Sequence, residues 1–446
     1  MFFKNIIDHK RNEESMRRKL NKSLTLTAAV LLAIGMPVAS AFAMGAPTPA
    51  SVSKVIPNKP ITLRIFTTAP QNKVSQAVAT VFEKKYPNVK VIVQATDFPD
   101  YAQGIQLALK SSNGPDIALA ANAFSSKNGL TINLAKYSKL YGWDKIIPST
   151  VAEQWKVTPD YKTMAGSIQV ALPVDINIVG LYYNKKLLQQ AGINTLPKTL
   201  SELEAALASA KKANLLPIQM GNSQGHASFL IQCIGQSQDG AESAAKWALG
   251  VSNSTFATTG NKLGAQKLLD WKNAGYIPSD VNSYALQDAV TNFTQGNGVF
   301  LNDGNWDAGT IDAAMGSNVG FIPFPGTNVV AIGGGDAFQI SAKSKNKDVA
   351  AAFLNMLISA QAAPLAWSNG FLPVNVANAK GTTSLQNDIL AAYKKISNAN
   401  GIVSFNNNVT PSMAQTLTTT TQALLGGQMT VDDLINTVQA DWAKSH

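Results

Sequence analysis

The chain has 446 residues, and its 37 Lys and Arg against 27 Asp and Glu give a net charge of +10 at neutral pH. Arg64 is the only arginine after residue 43, so lysines supply nearly all the positive charge of the remaining chain. Nucleic-acid-binding proteins concentrate Arg and Lys on one face, and sites for phosphate or dicarboxylates use several arginines. The composition therefore argues against both kinds of site.

Residues 1–43 have the pattern of an export signal. A basic segment at 16–22 (MRRKLNK) precedes an apolar segment at 24–34 (LTLTAAVLLAI). Ala41 and Ala43 then provide the small residues of a cleavage site. We expect this region to be a signal peptide that is cleaved near Ala43.

An uncleaved membrane anchor is the alternative interpretation of this region. The uncharged run 23–53 is long enough to span a bilayer, but its second half is rich in Gly, Pro, Ser and Ala, which favours cleavage. Cys233 is the only cysteine, which excludes an intrachain disulfide and leaves no cysteine at the cleavage site for lipid attachment. We therefore expect an exported periplasmic protein without a lipid anchor.

About 400 exported residues exceed what one hydrophobic core usually supports, so two domains are expected. Alternating apolar residues predict a first strand at 61–66 (ITLRIF), followed by a helix, a strand, a helix and the strand at 115–121 (PDIALAA). This β-α-β-α-β order predicts a mostly parallel sheet covered by helices. Further along, Thr199 and Glu202 are spaced as a capping box at a helix start, and the segment 298–304 (GVFLNDG) is typical of a strand.

The segment GNSQG (221–225) matches the G-x-S-x-G pattern of hydrolases. A serine nucleophile needs a histidine that accepts its proton, and after residue 43 the chain offers only His226 and His446. His226 is confined to the same turn as Ser223, and His446 follows the final predicted helix. We therefore interpret GNSQG as a polar turn that opens onto a cleft, and we expect no catalytic residues.

The segment DGNWDAG (303–309) begins like a calcium loop, with oxygen-bearing side chains at alternate positions. Ala308 replaces the required glycine, however, and no acid stands at the twelfth position. The histidines and the cysteine after residue 43 are too few for a zinc site of the Cys/His type. We expect neither a bound metal nor a cofactor.

Several segments together resemble the extracellular solute-binding proteins of sugar-type ABC importers, the family that includes maltose-binding protein. They occur in the family's order over nearly all of the expected mature chain. The segments are GPDIALA (114–120), GLYYNKK and the helix after it (180–212), QGNGVFLNDGNW (295–306), ISAKSKNKDVAAAFLNMLIS (340–359) and GGQMTVDDLINTVQADW (426–442).

The resemblance implies an α/β fold with two lobes, a periplasmic-binding-protein fold of class II type. Each lobe is expected to contain a mostly parallel sheet flanked by helices. Lobe one is expected at 56–176 with 328–372, and lobe two at 177–327 with 373–446. The crossing segments between the lobes, which form the hinge, are expected at 172–193, near 324–332 and near 370–375.

The resemblance also implies a function. A monomeric periplasmic protein of this family binds a neutral sugar or polyol between its lobes and delivers it to the membrane permease of an ABC importer. Many sugar-binding members carry a Trp just after the first strand, where this chain has TTAP (67–70). This departure favours a small sugar or polyol over an oligosaccharide.

The expected ligand contacts follow from the same resemblance. Trp306 matches the family's stacking tryptophan. The other candidates are polar side chains at strand ends that face the cleft: Thr68, Gln71, Asn122, Asp175, Asn177, Asn222, His226, Asn305, Asp307 and Asp336.

Two other functions fit part of the pattern. The same fold accommodates charged solutes, but ferric sites use clustered tyrosines, and Tyr182 and Tyr183 are the only adjacent pair. A polyamine site needs several cleft acids with aromatic residues, which the candidate set provides in part. A secreted enzyme acting on glycans needs a histidine, a metal or a matched carboxylate pair, and we identify none.

Overall fold

The computed structural model describes residues 45–376 and 379–446. The predicted signal peptide, residues 1–43, lies outside the described residues. Within the described ranges, no helix combines the length and the apolar character that a membrane-spanning segment requires.

The described part of the chain contains sixteen α-helices and fourteen strands. The helices are α1 (Ala69–Lys85), α2 (Phe98–Lys110), α3 (Ala135–Tyr141), α4 (Ser149–Ala152), α5 (Lys185–Gln190), α6 (Leu200–Lys212), α7 (Ala227–Asp239), α8 (Ala241–Ala248), α9 (Thr259–Asn273), α10 (Leu286–Thr294), α11 (Ala308–Met315), α12 (Lys347–Leu357), α13 (Ala363–Ser368), α14 (Ser384–Asn398), α15 (Met413–Leu425) and α16 (Val431–Trp442). The strands are β1 (Ile61–Thr68), β2 (Val89–Thr96), β3 (Ile117–Leu119), β4 (Lys156–Val157), β5 (Ile168–Gln169), β6 (Leu172–Pro173), β7 (Asp175–Asn184), β8 (Ile218–Gln219), β9 (Phe300–Gly304), β10 (Val319–Pro323), β11 (Ala331–Gly334), β12 (Ala337–Ile340), β13 (Leu372–Pro373) and β14 (Ile402–Val403).

Two mixed sheets organise these elements. In the first sheet the strand order is β2-β1-β3-β12-β6, with β1 parallel to β2 and β3, and with β12 antiparallel to β3 and β6. In the second sheet the order is β14-β11-β7-β9-β8, and β10 and β13 also pair with β7. The predicted β-α-β-α-β run forms the parallel part of the first sheet. Strands that return from the other sheet enter in the opposite direction, which is why the sheets are mixed.

Three segments of the chain meet between the two sheets. Val174 alone separates β6 of the first sheet from β7 of the second, and Gly335 and Asp336 separate β11 from β12. Strand β13 pairs with the start of β7 at the same place. The second passage lies a few residues beyond the predicted segment 324–332, because β11 is still hydrogen-bonded to β7. The lobe boundaries stay a prediction, because strand pairing does not show to which lobe each helix belongs.

The first hydrophobic core lies between β1 and two helices. Leu63 and Ile65 of β1 are completely buried, and Phe82 of α1 contacts Phe353 of α12 with ring centroids 5.3 Å apart. Burying one side chain of this size stabilises the fold by about 1.5–3 kcal/mol. Helix α1 follows β1 directly, so its N-terminal end, which carries Gln71, lies at the carboxyl end of β1.

The second core surrounds α7, whose residues 227–237 are all buried. Helix α9 approaches α7 closely at Gly264, where a Cβ atom would lie 2.5 Å from the carbonyl oxygen of Ile231. Leu230 and Leu268 are completely buried beside this contact. The crossing holds the first turn of α7 in place. The predicted capping box at the start of α6 is confirmed in this same half of the molecule.

Candidate functional site

Four polar residues meet where the crossing segments leave the sheets, and we call Gln71, Asp175, Asn177 and Asp336 the polar cluster. The Nε2 of Gln71 donates a hydrogen bond to Asp336 Oδ2 at 2.8 Å and another to Asp175 Oδ2. The backbone N–H of Asp336 donates to Asp175 Oδ1 at 2.8 Å. The polar cluster therefore joins the start of α1, the start of β7 and the β11–β12 turn.

The pKa of both carboxyl groups in the polar cluster is raised. Burial raises the pKa of Asp175 most, and the neighbouring charge of Asp336 adds to it. Burial also raises the pKa of Asp336, against hydrogen bonds from Gln71 and Asn177 that lower it. The ion pairs among the described residues do not include Asp175 or Asp336. No lysine or arginine of the described residues therefore pairs with either carboxylate. The pair therefore favours hydrogen-bond donors over further negative charge.

Asn177 supplies an unused acceptor beside these carboxyl groups. Its side chain is 3% exposed. Because a carboxylate only accepts hydrogen bonds, the bond between Asn177 and Asp336 comes from the amide nitrogen. The amide oxygen of Asn177 has no partner among the described residues. Leaving a buried acceptor unpaired costs about 1–3 kcal/mol, and a ligand hydroxyl at this position removes that cost.

Four ring-bearing residues on the second-sheet side, His226, Phe229, Trp306 and Phe405, form what we call the aromatic platform. The ring centroid of Phe229 lies 5.3 Å from that of His226, 6.1 Å from that of Trp306 and 5.7 Å from that of Phe405. The rings of Trp306 and Phe405 are 6.0 Å apart. Such separations are typical of favourable aromatic contacts. Trp306 is half-buried, so part of its ring remains accessible.

Hydrogen bonds from α7 hold the loop that carries Phe405. The side chain of Gln232 donates to the carbonyl oxygen of Ser404 at 2.8 Å and accepts from the backbone N–H of Asn406 at 3.0 Å. Both bonds are buried. They fix the residues on either side of Phe405, so the ring is positioned against Phe229 of the same helix.

Asn305 connects the aromatic platform to the polar cluster. Its Oδ1 accepts from the backbone N–H of Ile178 at 2.7 Å, and its Nδ2 donates to the carbonyl oxygen of Ile176 at 3.1 Å. Asn177 lies between these two residues of β7, and Trp306 directly follows Asn305. The polar cluster and the aromatic platform are therefore anchored on the same short stretch of β7, and we take them as the two walls of a candidate cleft.

A comparison with models of protein families identifies the family of the chain. The family model of bacterial extracellular solute-binding proteins matches residues 67–364, which is more than half of the chain. The chain belongs to this family. The resemblance recognised in the sequence is thereby confirmed.

Curated relatives of this solute-binding protein are themselves sugar-binding proteins by name. The multiple sugar-binding protein of Streptococcus mutans is 23% identical over 347 residues, which cover 71% of this chain and 74% of that protein. A probable sugar-binding periplasmic protein of Mesorhizobium japonicum is 24% identical over 214 residues, covering 47% of this chain and 49% of that protein.

Solved structures confirm the two-lobed α/β fold of class II type. A chitin oligosaccharide binding protein aligns with a TM-score of 0.73 at 21% identity, covering 86% of this chain and 99% of that chain. A solute-binding protein from Thermotoga lettingae bound with α-D-tagatose aligns with a TM-score of 0.71 at 20% identity, covering 87% and 100%. Maltose-bound MalE3 of T. maritima aligns with a TM-score of 0.67 at 17% identity, covering 86% and 99%.

Two predicted site residues of the solute-binding protein make contacts within the protein. Asp307 accepts hydrogen bonds from Gln287 at 3.0 and 3.2 Å. Asn222 is completely buried, donates to Asn282 at 2.8 Å and accepts from the backbone N–H of Ala227 at 3.0 Å. These contacts occupy the polar atoms that the sequence pattern suggested for a ligand. Like Asn305, these residues are held by hydrogen bonds within the protein.

Three further predicted residues lie near the cleft walls. Thr68 is buried at the N-terminal end of α1, where its side chain makes no capping hydrogen bond. Asn122 is half-buried just beyond β3. Burial lowers the pKa of His226 to about 4, and its Nδ1 has no hydrogen-bond partner among the described residues. His226 is therefore a neutral ring with a free nitrogen in the platform.

Sequence reasoning missed Phe229, Phe405 and Asp303. Phe229 lies in a helix that is buried throughout, so periodicity alone does not distinguish it from core residues. Phe405 lies in a loop that no motif identifies. Asp303 is completely buried, and burial followed by the charge of Asp307 raises its pKa. The signal in the sequence that could have identified Asp303 was an acidic residue inside the otherwise apolar strand GVFLNDG.

The polar turn GNSQG and the calcium-like segment have structural partners. The backbone N–H of Ser223 donates to the carbonyl oxygen of Tyr284 at 2.8 Å, and Gln422 donates to the Ser223 carbonyl at 2.9 Å. Within residues 45–376 and 379–446, no three His, Cys, Asp or Glu side chains are grouped in a way that holds a metal ion.

Proposed function

We propose that this solute-binding protein binds a neutral sugar or polyol in the cleft between the polar cluster and the aromatic platform, and that it delivers the ligand to the membrane permease of an ABC importer. The protein acts as a monomeric periplasmic receptor without catalytic activity, after cleavage of the signal peptide near Ala43. The sugar-binding names of the curated relatives support the ligand class.

The observation that carries the proposal is the unpaired amide oxygen of Asn177, together with the half-buried carboxyl group of Asp336 and the half-buried indole of Trp306. The carboxyl group of Asp336 and the amide oxygen of Asn177 accept hydrogen bonds from hydroxyl groups of the ligand. The C–H face of a sugar ring stacks on Trp306, as aromatic surfaces favour. Micromolar affinity requires about 8 kcal/mol, which several buried hydrogen bonds of about 1 kcal/mol each and a stacked ring supply together.

The proposed residues divide into two roles. Those that contact the ligand are Trp306, Asn177, Asp336, Thr68, Asn122 and His226. Those that position the contacts are Asn305, Asp307, Asn222, Gln71 and Asp175, because their polar atoms are engaged within the protein.

The mechanism follows from the three crossing segments. Their closeness at the start of β7 allows a hinge movement that brings the two walls together around a ligand. Closure removes water from the cleft, which strengthens each hydrogen bond to the polar cluster. A ligand that contacts both walls stabilises the closed form, and the permease recognises that form.

A thermal-shift screen of the mature protein, residues 44–446, tests the proposal. Mono- and disaccharides, sugar alcohols, polyamines and ferric complexes are compared at one pH. A ligand at about 100 times its dissociation constant adds about 2.7 kcal/mol to the free energy of unfolding. We expect such a shift for a sugar or polyol. Stabilisation by a polyamine or a ferric complex alone would refute the ligand class and support the alternative.

The variant Asn177→Ala then tests the location of the site. We expect weaker binding of the sugar identified by the screen, measured by calorimetry, because the unused acceptor is lost. The matched control is Asn387→Ala, since Asn387 is exposed on α14. Equal affinity of both variants for the sugar would place the site elsewhere.

A further inference from the structure

A second set of contacts joins the two halves of the protein away from the crossing segments. The backbone N–H of Met164 donates to the carbonyl oxygen of Leu249 at 2.9 Å, and Thr163 Oγ1 donates to that of Gly250 at 3.2 Å. Thr163 and Met164 lie in the turn between β4 and β5, which packs against residues of the first sheet. Leu249 and Gly250 follow α8. Together with His446, these four residues form what we call the seam.

The imidazole of His446 bridges the same two halves. Its Nε2 lies 2.9 Å from the carbonyl oxygen of Val409, and its Nδ1 is hydrogen-bonded to the carbonyl oxygen of Lys162. The ring centroid lies 4.7 Å from that of Trp442 and 5.6 Å from that of Phe124. Lys162 and Phe124 belong to the first half, whereas Val409 and Trp442 belong to the second.

The fit of the seam is close. Gly250 has a φ of 76°, a conformation that favours glycine. A Cβ atom at this position would lie 2.4 Å from the His446 ring and 2.8 Å from the Lys162 carbonyl oxygen. The seam therefore has no space for an additional group between its two sides.

Residues in contact with the seam follow both candidate walls closely along the chain. Phe124 stands two residues after Asn122, a predicted contact on the first wall, and Val409 stands four residues after Phe405 of the aromatic platform. His446 thus contacts both the segment that follows the first wall and the segment that follows the second wall. A ligand that extended past this edge would have to separate Thr163 from Gly250 and displace His446 from Lys162.

We propose that the seam closes one end of the cleft and limits the ligand to a short sugar, a mono- or disaccharide. This inference rests on the proposed function, because it specifies the length of the sugar bound at that same site. Thr163, Gly250 and His446 determine this specificity through the closed edge and do not contact the ligand.

Calorimetric titration of the mature protein with sugars of graded length tests the inference. The probes are glucose, maltose and maltotetraose, then N-acetylglucosamine, its dimer and its tetramer, and finally xylose, xylobiose and xylotetraose. In the series that binds, we expect the mono- or disaccharide to bind at least tenfold more tightly than the tetrasaccharide. A tetrasaccharide that binds as tightly as the shorter sugars overturns the inference and leaves the proposed function intact. Binding of none of these sugars overturns the inference, and it contradicts the proposed function as well when no sugar alcohol of the thermal-shift screen binds either.

Two variants test the role of the seam. His446→Ala removes the bridging ring, and Thr163→Val removes one hydrogen bond with little change in shape. We expect both to reduce the preference for the short sugar at least threefold, mainly through tighter binding of the tetrasaccharide. Lys444→Ala, an exposed neighbour, is the matched control. An unchanged preference in Thr163→Val and in a folded His446→Ala protein overturns the role of the seam.

Discussion

The molecule contains two buried carboxyl pairs that differ in access. Asp175 and Asp336 join distant segments, and Asp336 is half-buried beside the unused oxygen of Asn177. Asp303 and Asp307 lie four residues apart, are 0% and 4% exposed, and interact with each other and with Gln287. Burial is the largest cause of the raised pKa in all four. A raised carboxyl pKa therefore indicates burial and does not by itself identify a ligand site. The partial exposure of Asp336 is what distinguishes the first pair as the candidate ligand site.

The largest effect on binding is expected at the aromatic platform. Trp306→Ala removes the stacking surface and lowers affinity for the bound sugar by about 30-fold, which corresponds to about 2 kcal/mol. Trp306→Phe keeps an aromatic face, so we expect a loss of only a few-fold. Calorimetry measures both, with circular dichroism as the control for folding. Equal losses in the two variants would show that stacking is not the source of the affinity.

The same Asp-to-Asn substitution, made once in each carboxyl pair, distinguishes the roles of the two pairs most directly. Asp336→Asn weakens a hydrogen bond that a ligand makes to a charged group, so affinity falls about tenfold, or about 1.4 kcal/mol. Asp303→Asn leaves affinity unchanged because this carboxyl is completely buried and interacts with Asp307. Both are measured by calorimetry with the same sugar. The comparison fails if Asp303→Asn weakens binding as much as Asp336→Asn does.

The sequence predicted the parts of the fold that depend on local pattern. The β-α-β-α-β run, the capping box of Thr199 and the strand that leads to Trp306 all follow from residue order and spacing. The convergence of Gln71 with Asp175 and Asp336 followed from the resemblance, since these residues lie up to 265 positions apart.

Contacts between distant segments limited the rest of the prediction. Asn305 and Asn222 look like ligand contacts in sequence, but backbone groups of β7 and α7 occupy their side chains. Phe405 joins the platform from a loop that is hydrogen-bonded to Gln232, a residue 173 positions earlier in the chain. The range predicted for lobe one includes β11, whose pairing with β7 in the second sheet depends on tertiary contacts that no local pattern encodes.

A smaller effect is expected on the pH dependence of stability. Asp303 binds its proton more tightly in the folded protein, because burial raises its pKa above the usual 3.8. Its contribution to the free energy of unfolding is therefore complete below pH 3.8 and is lost as the pH rises through the folded pKa. Asp303→Asn keeps a neutral group that donates to Asp307. We expect this variant to be on the order of 1 kcal/mol more stable than the wild type at pH 7.

Thermal unfolding between pH 4 and pH 8 measures this difference. The two proteins should have similar melting temperatures at pH 4, and the variant should exceed the wild type increasingly towards pH 8. A constant difference across the range would show that the effect is packing and not protonation. Asp432→Asn, at an exposed ion pair with Lys262, is the control for removing one carboxylate.

The smallest effect concerns His226, whose titration has the opposite sign. Burial lowers its pKa from 6.5 to about 4, so its stabilising contribution is present above pH 6.5 and is lost as the pH falls through 4. The folded ring therefore stays neutral between pH 5.5 and pH 8. We expect its NMR ring signals, assigned by comparison with His226→Gln, to remain constant over this interval. A midpoint near 6.5 would show that the ring is solvated, and the platform would then present a titrating group to the ligand.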